Sequence, residues 1–364
     1  MVDRIRLGII GASPTVGWAY RSHLPAIAAS PEFELTGVCT TRMETAEESK
    51  KLYGAKLAFD DYHTMLAHPD IDAVAVVLRV PTHYQITKDA LNAGKHVYTE
   101  WPLGKTTEEA IELAALAKEK GVRVIVGLQA RAAPSILHMK QLVEDGYVGE
   151  MLSCSMRLIR GGVLERVSGR TWQRDVELGA NTLTIAAGHS IDALRFVAGD
   201  FGEVSAVIST QVDQWYETDT QVMKDVTSPD NILVNGSLAN GAVVSVHVAV
   251  NPWAGSGYVM EIYGRKGTLV ATGDDSPQIG DVFLQGTQGN DKLEDIEVPA
   301  NLTNVLEGMP SGSPMNVGQM YYQFGEAIRG KAANYPDFDT AVDMHRLIDS
   351  IRLSAEESRT TSTT

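Results

Sequence analysis

The sequence predicts a two-domain α/β protein: a doubly wound parallel sheet over residues 1–130, then an α/β domain with a large, open, mostly antiparallel sheet over residues 131–357. Three observations predict it. A buried strand, a small-residue loop and a helix follow one another over residues 4–29. Apolar strand runs then alternate with helical patterns as far as Gly127. Beyond residue 200 the helices give way to a succession of strand-like segments. Strands that alternate with helices call for parallel pairing through right-handed crossovers.

Arg4-Ile5-Arg6-Leu7-Gly8-Ile9-Ile10-Gly11 reads as a buried strand ending at a glycine, and Ala12 to Gly17 as a tight loop. Residues 18–29 follow as a helix with Trp18, Leu24 and Ile27 among its apolar positions. Glycine lets a backbone approach a pyrophosphate, and a helix N-terminus offers it free N–H groups and partial positive charge. In the usual G-x-G-x-x-G spacing of a Rossmann dinucleotide-binding unit, Gly11 is the first glycine. Ser13 replaces the second, and Gly17 sits one residue late for the third. An ordinary strand-to-helix turn is the alternative reading of this loop.

The second strand, residues 33–39, runs into Thr40-Thr41-Arg42 with no acid. An acid here would bond a free ribose 2′-hydroxyl, whereas hydroxyls with an arginine receive a 2′-phosphate. NADP is therefore the expected cofactor and NAD the less favoured one; a solvated Arg42 is the alternative. Residues 44–53 are helical in pattern, 57–59 a short strand, 61–67 a short helix and 71–78 a strand apolar almost throughout, as a parallel strand covered on both faces should be. Strand ends in this fold face the ligand crevice. Trp101, with Glu100 at the end of strand 95–100, is a cofactor-binding candidate on that ground; Pro81 and His83, before a helix over 84–92, and Gln129, after a strand over 122–127, are the other candidates. Thr106 or Thr107 caps a helix running to Lys120.

Acids outnumber bases 46 to 31, a formal charge of −15, which argues against general nucleic-acid binding. Two cysteines, Cys39 and Cys154, imply neither a disulfide framework nor a Cys-based metal site, so a reducing, cytoplasmic setting is expected. The N-terminus enters a strand without the apolar stretch of a signal peptide, and no run is long enough for a membrane span. Residues 358–364 read as a disordered tail. There is no H-x-x-x-H pair or carboxylate-rich loop with metal spacing.

Ala93-Gly94-Lys95-His96-Val97-Tyr98-Thr99-Glu100-Trp101-Pro102-Leu103 resembles the signature of the glucose–fructose oxidoreductase/inositol dehydrogenase (Gfo/Idh/MocA) family. Leu128-Gln129-Ala130-Arg131-Ala132-Ala133-Pro134, Gly146-Tyr147-Val148-Gly149 and Gly188-His189-Ser190-Ile191-Asp192 extend the resemblance in the same order, toward the branch of the fungal galactose-pathway repressor. It implies that Glu100 lies beside the nicotinamide ribose and that the open sheet pairs between subunits as a homodimer or homotetramer. Most family enzymes carry a lysine where Trp101 stands, and an aspartate where Ile185 stands. An indole cannot exchange a proton at neutral pH, though it can pack against a nicotinamide or sugar ring. Of the family's lysine, aspartate and histidine, His189 survives, and histidine suits general acid/base work.

In the second half, a helix runs from Pro134 to about Asp145, and residues 152–160 are the first strand of the second sheet. The glycine-bounded loop 161–169, with Arg166, Arg170, Trp172 and Arg174, is a candidate rim for a polar substrate or, alternatively, a solvated charged loop. Residues 178–198 read as one helix, then 204–212, 231–238, 241–250, 259–263, 268–272 and 282–285 as strands. Residues 274–317 are largely loop, and 316–329 and 339–356 are closing helices. The reading is an NADP-dependent oxidoreductase acting on a sugar, polyol or related alcohol/carbonyl, with His189, or another group such as Tyr147, moving the proton. The rival is a catalytically silent, cofactor-binding co-regulator of sugar metabolism. Glycoside cleavage with a retained cofactor ranks third, since no paired carboxylates stand out.

Overall fold

The computed structural model describes residues 4–289, 291–331 and 334–357. The predicted tail at 358–364 lies outside them. The chain divides into two compact units: residues up to Ala132 together with Thr303–Asp343, and Ala133–Leu302 together with the residues from Met344 on.

The first unit opens with β1 (Ile5–Ile10), whose side chains are almost all buried. The helix that follows is not uniformly α-helical. Ala19–His23 forms a π-turn and Leu24–Ala28 the short α1. Pro25 explains the change: it has no N–H to return to the preceding turn, and the wider turn, in which the Leu24 N–H reaches the Ala19 carbonyl, accommodates it. Then come β2 (Phe33–Cys39), α2 (Met43–Tyr53), β3 (Leu57–Phe59), α3 (Tyr62–Ala67), β4 (Ala73–Val76), α4 (His83–Asn92), β5 (His96–Glu100), α5 (Thr107–Lys120) and β6 (Val124–Gly127). Thr106 caps α5 by accepting from the Glu109 N–H, and Gly121, at φ 64°, ends it. The six strands pair in parallel in the order β3-β2-β1-β4-β5-β6. The chain thus reverses its strand order beside β1, the place where such sheets bind ligands.

The second unit starts with α6 (Pro134–Glu144) and β7 (Met151–Arg160), followed by the two-residue β8 (Glu165–Arg166). The helix expected from residue 178 begins later. Val176–Leu178 is a 3-10 turn stopped at Gly179, at φ 70°. Asn181 then caps a π-turn over Thr182–Ala187, and α7 (Gly188–Ala198) continues it. The Asn181 side chain accepts from the Leu183 and Thr184 N–H groups while Thr184 Oγ1 accepts from the Asn181 N–H. That reciprocal cap, not the apolar pattern, sets the start. β9 (Phe201–Ser209), β10 (Gln214–Glu217), β11 (Val222–Asp225), β12 (Asn231–Leu238), β13 (Val243–Val250), β14 (Gly257–Gly264), β15 (Gly267–Gly273), β16 (Phe283–Gln288) and β17 (Glu294–Asp295) follow. Eight strands form one sheet, β17-β16-β15-β14-β7-β13-β12-β9, in which β7 and β13 are the parallel pair. β11, β10 and β8 form a separate three-stranded sheet that the sequence pattern does not announce. A two-residue strand has no periodicity of its own and exists only through its pairing with β10.

α8 (Ser313–Ile328) and the start of α9 (Phe338–Glu357) return to the first unit. This corrects the expected domain limit: residues 303–343 pack with the parallel sheet, not with the second domain. The cause is aromatic burial. Phe324 of α8 stacks on Phe33 of β2, and Tyr321 meets Phe33 edge-on and Tyr98 of β5 at a tilt, in one core with Leu7 and Ile9.

Candidate dinucleotide site and the proton-transfer candidate

Gly11 ends β1 at φ 97°, and a Cβ there would lie 2.2 Å from the Val77 carbonyl oxygen. Only glycine fits that crossing. The Gly11 and Ala12 N–H groups both donate to the Cys39 carbonyl, tying the loop to the end of β2. Ser13 Oγ accepts from the Val16 N–H at 3.4 Å, so the residue that replaces the second glycine stiffens the loop from within. Gly17, at φ 93°, has nothing within 4 Å of a Cβ position, leaving its backbone open to a ligand. The Trp18 indole Nε1 is buried and has no hydrogen-bond partner among the described residues.

After β2, Thr40 Oγ1 lies in a triangle with Thr45 Oγ1 and the Arg42 carbonyl, at 2.6 and 2.8 Å. The Thr40 hydroxyl is therefore spent on shaping the turn. Thr41 and Arg42 are exposed, and the Arg42 guanidinium has no ion pair among the described residues. Pro81, half-buried, lies in a 3-10 turn over Val80–Thr82. His83 is placed differently from a ligand-facing group. It is buried, with Nδ1 2.7 Å from the Pro102 carbonyl oxygen and Nε2 3.0 Å from that of Leu78. Burial pushes its pKa below the ordinary histidine value, against the pull of the two carbonyls. The ring braces the end of β4 against the cis Trp101–Pro102 bond.

Glu100, at the end of β5, is 7% exposed. Its Oε1 accepts from His23 Nε2 at 2.8 Å, and Gln129 Nε2 reaches Oε1 and Oε2 at 3.0 and 2.7 Å. On its other side His23 Nδ1 meets the Tyr321 hydroxyl at 2.8 Å. One tautomer satisfies both ring nitrogens: Nε2–H donates to the carboxylate and the Tyr321 O–H donates to Nδ1. Room for the carboxylate comes from Gly127, its register partner on β6, where a Cβ would lie 2.7 Å from Oε1. Burial beside Glu100 holds the Tyr98 and Tyr321 hydroxyls protonated, well above the usual tyrosine range. The sequence placed Glu100 and Gln129 in one site, and the structure joins them. It missed His23 and Tyr321, whose only signal was their position among buried helix residues. Trp101 is buried.

In the second unit His189 is 6% exposed, the second residue of α7. Its four-residue spacing from Ile185 crosses the junction between π-turn and α-helix, so the pair is not at regular α-helical i, i+4 spacing. Asp192, three residues on, is fully buried. Tyr147 packs toward β16, where a Cβ at Gly286 would meet its hydroxyl at 2.9 Å. The open Gly17 backbone, the partnerless Trp18 Nε1 and the exposed Arg42 fit a phosphate-bearing dinucleotide.

Comparison with known proteins agrees with this architecture. Residues 5–128 match the Gfo/Idh/MocA model, described as an oxidoreductase family with an NAD-binding Rossmann fold, and residues 134–273 match the Gal80p C-terminal domain. The chain is 30% identical over 285 residues to dehydrogenase aclE of Aspergillus oryzae, covering 75% of this chain and 78% of that protein. It is 28% identical over 315 residues to the galactose/lactose metabolism regulatory protein GAL80 of Saccharomyces cerevisiae, covering 79% and 72%. The solved structure of a levoglucosan dehydrogenase with NADH and levoglucosan superposes with a TM-score of 0.83 at 23% identity, covering 98% of each chain. The chain belongs to the Gfo/Idh/MocA oxidoreductase family, with an NAD-binding Rossmann fold ahead of a Gal80p-type C-terminal domain.

Proposed function

We propose that this chain is an NADP-dependent oxidoreductase that moves a hydride between nicotinamide and a sugar, polyol or related alcohol/carbonyl. The observation that carries the cofactor choice is Arg42, exposed and without an ion pair among the described residues, beside Thr41 in a turn with no acid. NADP is proposed to bind through Gly11, Ser13, Gly17 and Trp18 at the pyrophosphate and Thr41 and Arg42 at the 2′-phosphate, with Thr40 shaping the turn that presents them. Pro81, Glu100 and Trp101 line the nicotinamide end, with His83 and Gln129 bracing them. When bound, the cofactor supplies or accepts the hydride. The chain's own part is to hold the loop that cradles it, to keep Glu100 fixed by its bonds to His23 and Gln129, and to move the hydroxyl proton through the His189 imidazole. The carbohydrate-like substrate is supported by the relatives named for levoglucosan.

Fluorescence titration with NADPH and NADH, then a screen of sugars and alcohols by nicotinamide absorbance, tests this reading. Arg42→Ala is expected to weaken NADPH by roughly 10- to 100-fold, since a charge-assisted bond contributes about 1.5–3 kcal/mol, and to leave NADH unchanged. Equal loss for both cofactors would reject the 2′-phosphate assignment. The co-regulator reading is favoured by Trp101 and Ile185 standing where family enzymes carry lysine and aspartate. Tight NADPH binding without turnover across the panel selects it.

A homodimer or homotetramer is proposed through the outer face of the large sheet. There Val207, Leu233, His247, Arg157, Val259, Thr272 and Phe283 form one register row across seven strands, with Val207 58% and Phe283 66% exposed. Exposed apolar side chains on a broad sheet face suit a partner surface. Sedimentation velocity showing monomer alone would remove the proposal. Among the described residues no helix is long and apolar enough to cross a membrane. Cys39 and Cys154 are free and buried, and burial pushes both thiols up to about 12. Both fit the proposed cytoplasmic setting, which microscopy of the tagged chain would check.

A further inference from the structure

The second unit holds a positive charge that nothing among the described residues neutralises. Arg166, in β8, lies over the Trp215 ring with its guanidinium carbon 4.1 Å from the ring centroid. Trp215 is itself buried in a small core with Val163, Val226 and Val250, so one face of the guanidinium is dry. Arg166 Nε is buried without a hydrogen-bond partner among the described residues, and so is Trp215 Nε1. Two stacked side chains thus present two buried donors and no acceptor.

The surrounding charges deepen the imbalance. Glu217 stands opposite Arg166 in the β8–β10 ladder, yet its carboxylate accepts from the Thr171 and Thr220 hydroxyls and lies 3.8 Å from Lys224. The other charges that Arg166 feels are those of Arg170 and Arg160, and burial among them pulls its pKa down to about 10. Arg160 is partly neutralised by Asp275 at 2.9 Å. A cation–π contact recovers less than desolvating an uncompensated charge costs. A native fold retains such an arrangement where an anion completes it.

We propose that Arg166, stacked on Trp215 and flanked by Arg160 and Arg170, is a binding site for the oxyanion of a small acidic ligand, a carboxylate or phosphate on a sugar or polyol. The sugar part of that ligand rests on the oxidoreductase reading; the oxyanion part does not. The formal charge of −15 repels a polyanion and leaves a small ligand as the fitting one.

The test is thermal unfolding of the full chain without cofactor, at constant ionic strength in sodium chloride, with galacturonate, glucose 6-phosphate or neutral galactose added. One of the two acids is expected to raise the midpoint by roughly 2–4 °C at about ten- to hundredfold above its Kd, and the larger shift identifies the oxyanion. Galactose is expected to have no effect. Arg166→Met, which replaces a desolvated charge by an apolar chain, is expected to melt above the wild type without ligand and to show no shift with it. Trp215→Phe keeps the stack, removes one donor and should shrink the shift severalfold. No shift from either acid, or a shift that survives Arg166→Met, would overturn the site. Because neither cofactor nor turnover enters the measurement, its failure is separate from failure of NADPH binding.

Discussion

Replacing His189 with alanine is expected to lower kcat by about 10²–10⁴-fold, the range contributed by a positioned general acid or base, while NADPH affinity is unchanged. The residue sits where α7 begins, and its near-complete burial allows two explanations of any loss. A packing role would be restored by glutamine, which keeps the size and can hydrogen-bond. A proton-transfer role would not be, because an amide does not titrate near neutrality. His189→Gln is therefore expected to fold like the wild type and to be as slow as His189→Ala. The limb of the pH–rate profile that this imidazole contributes should vanish with it. Wild-type turnover in the glutamine variant would move the proton-transfer role elsewhere, with Tyr147 the next residue to test.

His23→Ala is expected to cost about 3 kcal/mol of stability, read as the midpoint of urea unfolding of the first unit's core. The imidazole donates to a nearly buried carboxylate, and a hydrogen bond to a charged group contributes about 1.5–3 kcal/mol. Its loss also leaves the Tyr321 hydroxyl without its partner, at about 1–3 kcal/mol for a buried donor. These terms overlap, so their sum is an upper bound. A double-mutant cycle with Glu100→Gln separates them: the second substitution should cost less in the His23→Ala background by roughly 0.5–3 kcal/mol. A loss under about 1 kcal/mol with no coupling would mean that the network does not hold Glu100. Because Glu100 precedes Trp101, loosening it should also weaken NADPH binding under the proposed arrangement.

The parallel sheet was legible because strands covered on both faces read as apolar runs, as residues 71–78 do. The start of α5 was legible to within one residue, at Thr106 or Thr107, and Thr106 is the cap; the Asn181 cap was not read. The π-turns at Ala19–His23 and Thr182–Ala187 were not. Their composition is that of an ordinary helix, and what widens the first is a proline in the next turn. Ser13 could be recognised as a departure from the glycine pattern, but that its hydroxyl holds the Val16 N–H required coordinates. The sequence offered His83 as a cofactor-binding residue; its commitment to two backbone carbonyls was not legible, since both acceptors lie in loops that carry no side-chain signal.

By itself the sequence determined the order of strands and helices in the parallel sheet, the glycine loop, the acid-free turn at Thr40–Arg42 and the family. Each of these is written in local composition or in the spacing of a few residues. Only the tertiary structure decided that α8 packs with the parallel sheet, that Glu100 is held by a histidine 77 positions before it, and that Arg166 rests on Trp215 with no acid paired to it among the described residues. Those pairings join residues far apart in the chain. Periodicity records which face of a segment is buried, whereas what that face is buried against is settled by which distant side chains best cover it and satisfy its polar groups.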